Sequence, residues 1–381
     1  MGGSQSCDAA LREKHVVIVG GGYGGTVVAL KLQGKCKITL IDPKEAFHHC
    51  LGALRSCTED GFARKIFIPY APAFGENFKR GTVEAVDPTA KKVKLAGGEE
   101  VSYDYLVIAS GSKGPFPAKI AGGEDSSVYI KEYTDMLQKV KASKDIVVVG
   151  GGAVGVEMAG EIATDFSDKQ VTIVHSRDYL VEGDLAPKFR KGLDDQLRAK
   201  GVKLVLGEKV SNLSELPRDG SSRCTVKTDK GTEIEADLVL VCVGVPCNSS
   251  AYATSLSNCM EETGHLKVNQ FLQVEGLDDV FAIGDCCNAD PVKLAYLAGW
   301  HGELVARNLR LLAQGKTELK AWKTPGTLMV VPVGRDGGMF QKDSIVLGSF
   351  ISRKMKGSHL FVSKYWGEMK QKVPVAGDAE V

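Results

Sequence analysis

Two stretches of the chain carry the same pattern of apolar and small residues, 130 positions apart. The first runs His15-Val-Val-Ile-Val into Gly-Gly-Gly-Tyr-Gly-Gly and then the helix-compatible TVVALKLQ. The second runs Asp145-Ile-Val-Val-Val into GGGAVG and then VEMAGEIA. Each is followed by another apolar run, Lys37-Ile-Thr-Leu-Ile-Asp and Gln170-Val-Thr-Ile-Val-His-Ser. A β-branched run, a glycine turn, a helix-period segment and a second β-branched run predict a right-handed βαβ unit on a parallel sheet. Further strands are predicted at Tyr105-LVIAS, Lys203-LVLG, Ala236-DLVLVCVG and Val280-FAIGD, and a meander across 81–101. After Pro325, Thr327-LMVVPVG, a GRDGG turn and Ser344-IVLGSFISRKM read as a small antiparallel C-terminal unit.

Charge narrows the function classes. The 48 Lys and Arg residues nearly cancel the 47 Asp and Glu, for a net charge of +1, and 43% of residues are hydrophobic. That balance excludes a disordered chain and a broadly basic nucleic-acid binder, so no specific nucleic-acid partner is expected. No run reaches the ~18 apolar residues of a membrane span. The N-terminal MGGSQSCDAALREK has no secretory core, which makes reduced thiols the expectation for the ten cysteines. Glycine stands out at 44 of 381 residues, against a usual ~7%; such an excess belongs where the backbone turns tightly or approaches something closely.

The glycine turns carry the chemistry. Gly20-x-Gly22-x-x-Gly25 opens a helix after a strand, and Asp42 ends the next strand. This is a full dinucleotide fingerprint: one glycine for the turn, one for approach of a pyrophosphate, one for helix–strand packing, and an acid for ribose hydroxyls. Gly21, Tyr23 and Gly24 complete the cluster. Gly150-x-Gly152-x-x-Gly155 repeats it, with Glu157 just beyond. Its second strand ends Val174-His175-Ser176-Arg177, without an acid. His175 and Arg177 there are expected to accept the 2′-phosphate of NADPH, with NADH also usable.

Ala109-Ser110-Gly111 and Ala282-Ile283-Gly284-Asp285 add two more turns at strand ends, and the four motifs in this order resemble the flavoprotein reductases with two dinucleotide-binding domains. The resemblance implies two tandem Rossmann-like domains of the glutathione-reductase type plus a small α+β C-terminal domain. It places FAD on residues 15–120 and 265–322, with Asp285 on its ribityl or pyrophosphate portion, NADH or NADPH on the inserted residues 121–264, and the C-terminal domain on 323–381. The first glycine helix lacks the C-x4-C pair of disulfide reductases; Cys242 and Cys247 have that spacing elsewhere and read as structural, and Cys286-Cys287 as two buried thiols.

Met1-Gly2-Gly3-Ser4-Gln5-Ser6 fits N-myristoylation at Gly2. One acyl chain binds a membrane only marginally. The segment 351–372, with Arg353, Lys354, Lys356, Lys364, Lys370 and Lys372 among Leu360, Phe361, Tyr365 and Trp366, is the candidate second contact with an anionic membrane face; the alternative is a solvated amphipathic helix that closes the C-terminal domain. With Phe47-His-His, Gly52-Ala-Leu-Arg-Ser, Gly114-Pro-Phe-Pro, Glu208-Lys-Val-Ser-Asn-Leu, Asn248-Ser-Ser-Ala-Tyr, Lys293-Leu-Ala-Tyr-Leu-Ala-Gly and Leu360-Phe-Val-Ser, the chain resembles the ferroptosis suppressor protein family, the AIF-like mitochondrion-associated proteins. It departs from that pattern at Arg335-Asp-Gly-Gly-Met-Phe and in a longer, Val-rich tail.

The resemblance implies a myristoylated NAD(P)H:quinone oxidoreductase. It would reduce ubiquinone or vitamin K at the cytoplasmic face of the plasma membrane, lipid droplets and the mitochondrial outer membrane. The products would be radical-trapping quinols that suppress lipid peroxidation. The alternatives are an apoptosis-inducing-factor-like flavoprotein acting through partners or DNA, and a ferredoxin-type reductase. Carried over, the FAD site holds the first glycine cluster, Asp42, Arg55, Val83, Ala109 and Asp285. Glu157 positions the nicotinamide, Tyr296, Lys356 and Phe361 face the quinone, and His48 is the candidate proton donor. No metal cluster is expected.

Overall fold

The computed structural model describes residues 10–375. Both repeated patterns form parallel sheets. The first orders Val280–Ala282, Tyr105–Ile108, His15–Val19, Lys37–Asp42 and Phe78–Arg80. The second orders Lys203–Leu206, Gln170–His175, Asp145–Val149 and Leu238–Val241. Val16 to Val19 and Ile146 to Val149 are all buried, as parallel strands covered on both faces require. That is why these strands read as continuous apolar runs instead of alternating ones. The chain leaves the first sheet after Tyr105–Ile108 and comes back beside that strand at Val280–Ala282, with the second sheet formed in between.

The helix after the first turn, Tyr23–Leu32, lies against the long helix Ala295–Ala313. Small residues set their spacing: a Cβ on Gly302 would stand 2.6 Å from Gly24 O, and one on Gly24 would stand 2.9 Å from Ala298 O. The meander is Val83–Asp87, Lys92–Leu95 and Glu100–Ser102, with a register shift between Val83 and Ala85.

The C-terminal unit is the antiparallel sheet Leu328–Val331, Met339–Lys342 and Ile345–Leu347. The strand at Met339–Lys342 lies between the predicted turn and the run that begins at Ser344. The expected helix over 351–372 is broken. Short helices at Ser349–Ser352 and Val362–Glu368 flank a π-turn at Arg353–Gly357 and two residues with positive φ, Leu360 and Phe361. Leu360, Val362, Trp366 and Met369 are buried, and Trp366 Nε1 donates to Lys65 O at 2.9 Å. The apolar face predicted for a membrane therefore docks this segment onto the first domain. Among the described residues no helix is long and apolar enough to cross a membrane.

Candidate functional site

Both glycine turns have the same backbone. Gly20 and Gly150 take φ of +105° and +115°, a region closed to most side chains. A Cβ on Gly25 would collide with Gly20 O, and one on Gly155 with Gly150 O, so each helix packs directly on its own turn. Gly22 and Gly152 are the N-caps, and nothing lies within 4 Å of where their Cβ atoms would be. Each faces a cavity, of about 390 Å³ at Gly22 and about 500 Å³ at Gly152. A helix N-terminus with free amides in front of open space fits a pyrophosphate. The residues present thus fit one dinucleotide at each turn.

The first cavity brings together Gly22, Tyr23, Gly24, Ala109, Gly111 and Asp285 from the predicted flavin set, and Glu157 and Lys356 from the predicted catalytic set. Asp285 Oδ2 accepts from Ser112 Oγ at 2.5 Å, and Lys119 Nζ lies 3.9 Å away. Glu157 and Lys356 are both buried, and Lys356 Nζ donates to Glu157 Oε1 at 2.6 Å. Burial pushes the Glu157 carboxyl above its ordinary value, and the ammonium beside it pulls the other way.

Several predicted residues lie elsewhere. Asp42 is buried and spends its carboxylate on the protein. Oδ2 accepts from Gly21 N at 2.6 Å, and Oδ1 accepts from Lys44 N at 2.9 Å and pairs with Lys44 Nζ at 2.8 Å. It shapes the turn and does not line the cavity. Gly21 carries the Tyr70 hydroxyl on its carbonyl, at 2.6 Å. Val83, the first residue of the meander, keeps its side chain in the core, so only the backbone contact to adenine expected of it is open to it. Arg55 is 1% exposed and holds Glu161 with two bonds, of 3.1 and 2.7 Å. Nη2 also reaches Gly357 O at 2.6 Å and Nη1 reaches Ser358 O at 3.3 Å, so four of its five N–H donors are committed to the protein.

His48 does not meet the cavity either. Its Nε2 is 3.1 Å from Tyr133 Oη, its ring stacks on Phe67, and burial disfavours its charged form. Tyr296 donates to Leu328 O at 3.2 Å and packs edge-on to Trp300. Phe361 packs edge-on to His359 at 5.4 Å. Neither lines the first cavity. Gly2 lies outside the described residues.

At the second turn, His175 lines the cavity while Arg177 turns its Nε to Glu182 Oε1 at 2.7 Å. Cys286 and Cys287 are buried free thiols, as expected; burial pushes Cys286 up to about 11. Cys247 Sγ lies 3.1 Å from Tyr252 Oη.

Sequence reading missed the stripe of acids on the second glycine helix, Ala153–Asp165. Glu157, Glu161 and Asp165 fall one turn apart on one face, where like charges alone repel. Each takes a cation from a different part of the chain: Lys356, Arg55, and Arg335 with Nη2–Oδ2 at 2.7 Å. Arg335 also donates to Glu59 at 2.5 Å. Acids at i, i+4 and i+8 on an otherwise apolar helix were the available signal.

The chain matches the pyridine nucleotide-disulphide oxidoreductase family over residues 14–302. It is 42% identical to ferroptosis suppressor protein 1 of Mus musculus over 94% of this chain and 97% of that protein. It is 35% identical to apoptosis-inducing factor homolog B of Dictyostelium discoideum over 95% and 98%. Its fold is similar to that of the sulfide:quinone oxidoreductase from Aquifex aeolicus, with a TM-score of 0.75 at 19% identity, covering 95% of this chain and 93% of that one. It is also similar to NDH2 from Plasmodium falciparum in complex with NADH, with a TM-score of 0.71 at 14% identity, over 93% of each chain. Two glycine turns built alike, each fronting a cavity, thus belong to an FAD- and NAD(P)H-dependent oxidoreductase: the chain is a member of the pyridine nucleotide-disulphide oxidoreductase family and, within it, of the ferroptosis suppressor protein 1 family.

Proposed function

We propose that the protein is an NAD(P)H:quinone oxidoreductase that works at a membrane surface and yields quinols able to trap lipid radicals. The observation that carries this reading is the buried Glu157–Lys356 pair in the wall of the first cavity, beside Leu51, Leu54, Met329 and Val330. An apolar wall suits a quinone ring, and one buried cation suits the oxygen on which negative charge develops as that ring is reduced. Bound FAD would supply the two-electron chemistry between coenzyme and acceptor. The chain's part is to orient both partners, to keep water from the apolar wall, and to hold a proton at Lys356 Nζ against Glu157 Oε1. That a mouse relative is named for suppressing ferroptosis and a structural neighbour for reducing quinone agrees with this assignment.

Membrane contact is part of the proposal. It rests on the acylation pattern at Gly2 and on the C-terminal unit, where Phe350 is 76% exposed a few residues before the exposed cations Arg353 and Lys354. The resident membranes would be those with an accessible cytoplasmic face. A steady-state screen of acceptors tests the reading: short-chain quinones should turn over without any protein acceptor, while turnover only with a ferredoxin-like protein would overturn it. Gly2→Ala should move the protein from the membrane to the soluble fraction of a cell lysate; unchanged partitioning would remove the lipid anchor.

A further inference from the structure

The strand Gln170–His175 ends without an acid, yet the cavity in front of the second glycine turn has two in its wall, Glu182 and Glu208. Glu208 Oε2 accepts from Thr228 Oγ1 at 2.5 Å and is held low by that bond. Arg177, the cation expected to greet a 2′-phosphate, is outside the wall and donates to Glu182. His175 is 7% exposed, its Nε2 has no hydrogen-bond partner, and burial lowers its pKa. Burial thus disfavours a charge on the ring. Against the two carboxylates the wall sets Lys209 and Lys293, and the Lys293 ammonium is spent on Cys287 O and Asp290 O, both at 2.6 Å. An unpartnered buried nitrogen in a cavity fronting free helix amides marks a place built for a ligand.

We infer that Glu182 takes the ribose hydroxyls at the adenosine end of the coenzyme and makes the protein discriminate for NADH against NADPH. A carboxylate accepts from both hydroxyls of a free ribose diol and repels a 2′-phosphate. Arg177 is the positioning residue that holds Glu182 at the rim. The acid that a dinucleotide fold usually carries at the strand end is here supplied seven residues later, by the loop. This deepens the coenzyme reading of the second cavity and rests on it.

The test is flavin reduction and quinone turnover by the FAD-loaded protein with NADH and with NADPH, for wild type, Glu182→Gln and the double variant Glu182→Gln/Arg177→Ala. Wild type should favour NADH in kcat/KM by about tenfold or more, carried by a higher KM for NADPH. Glu182→Gln should bring the ratio to within about twofold, because the freed guanidinium then faces the phosphate; the double variant should lose that gain for NADPH. Added salt should narrow the wild-type ratio, since repulsion at an exposed rim is screened. Equal use of both coenzymes by wild type, or a ratio unmoved in a Glu182→Gln protein that still holds flavin, would overturn the inference alone. Flavin bleached by neither coenzyme would instead overturn the reading of the cavity beneath it.

Discussion

The two glycine turns are nearly superimposable in design and opposite in what stands behind them. Both begin on a glycine with φ above +100°, both pack the third glycine on the first carbonyl, and both leave the second facing open space. At the first turn, the strand-end acid Asp42 folds back onto Gly21 N, and the Tyr70 hydroxyl caps Gly21 O. At the second, Gly151 faces the ring of His175, at 2.8 Å from where its Cβ would be, and the acid arrives on a loop. The fingerprint thus encodes a backbone shape. What the ligand meets beyond the pyrophosphate is set by residues outside it, and it differs between two copies in one chain.

The helices that follow differ as well. Tyr23, at the start of the first, sends its hydroxyl to His49 Nδ1 at 3.1 Å, and its ring meets Tyr365. The second carries the acid stripe. Both lead to the same C-terminal segment, one through His49 and Leu360, the other through Lys356 and Arg55. The first cavity is completed by residues some three hundred positions away from its glycines.

The largest expected effect breaks that convergence. Arg55→Met leaves the Glu161 carboxylate, 3% exposed, without its cation, and should cost about 3–5 kcal/mol in urea unfolding. Adding Glu161→Leu should restore most of it, since it is the unpaired charge that is expensive. A loss far below 1 kcal/mol would mean that the pair does not hold the segment down.

A smaller effect separates the glycines within each turn. Gly25→Ala and Gly155→Ala force a methyl group into a backbone carbonyl and should each cost about 3 kcal/mol in thermal or urea unfolding. Gly22→Ala and Gly152→Ala should leave the apoprotein as stable as wild type. The first should weaken FAD retention, and the second should raise the KM for the nicotinamide coenzyme. If all four destabilise alike, the middle glycines serve packing and not ligand approach.

The third prediction concerns one buried histidine, His49. His49 has both nitrogens in use, Nε2 donating to Leu360 O at 2.6 Å and Nδ1 accepting from Tyr23, and burial takes its pKa from 6.5 to about 4. The unfolded chain therefore binds a proton that the folded one refuses between those values. Its contribution is intact above pH 6.5 and is lost as pH falls toward 4, on the order of 3 kcal/mol in total. Acid should loosen the C-terminal segment first, seen as a change in Trp366 fluorescence before global unfolding, and His49→Gln should flatten that dependence. A stability constant from pH 7 down to 4.5 would contradict it.

Strands, turns and the order of motifs were legible because parallel strands must be apolar on both faces and the turns must be glycine. The site was legible where a residue reaches the cavity from a motif, as Gly22, Gly111, Asp285 and Glu157 do. It was not where a charged residue had two possible destinations. Arg55, Asp42 and Arg177 were expected to meet phosphate or ribose, and each found a protein partner; pairing across a hundred or more residues, as in Arg55–Glu161, leaves no local pattern. Aromatic residues of 351–372 could pack inward or outward, and a kink at two residues of positive φ turned them in.

The central claim is that electrons pass from a nicotinamide coenzyme through this protein to a quinone. Its most direct measurement is an anaerobic single turnover: the FAD-loaded protein is reduced with one equivalent of NADH, and a short-chain quinone is then added. The account predicts that flavin absorbance bleaches and then returns in full, with one quinol formed per flavin. A bleached flavin that quinone leaves unchanged would contradict it.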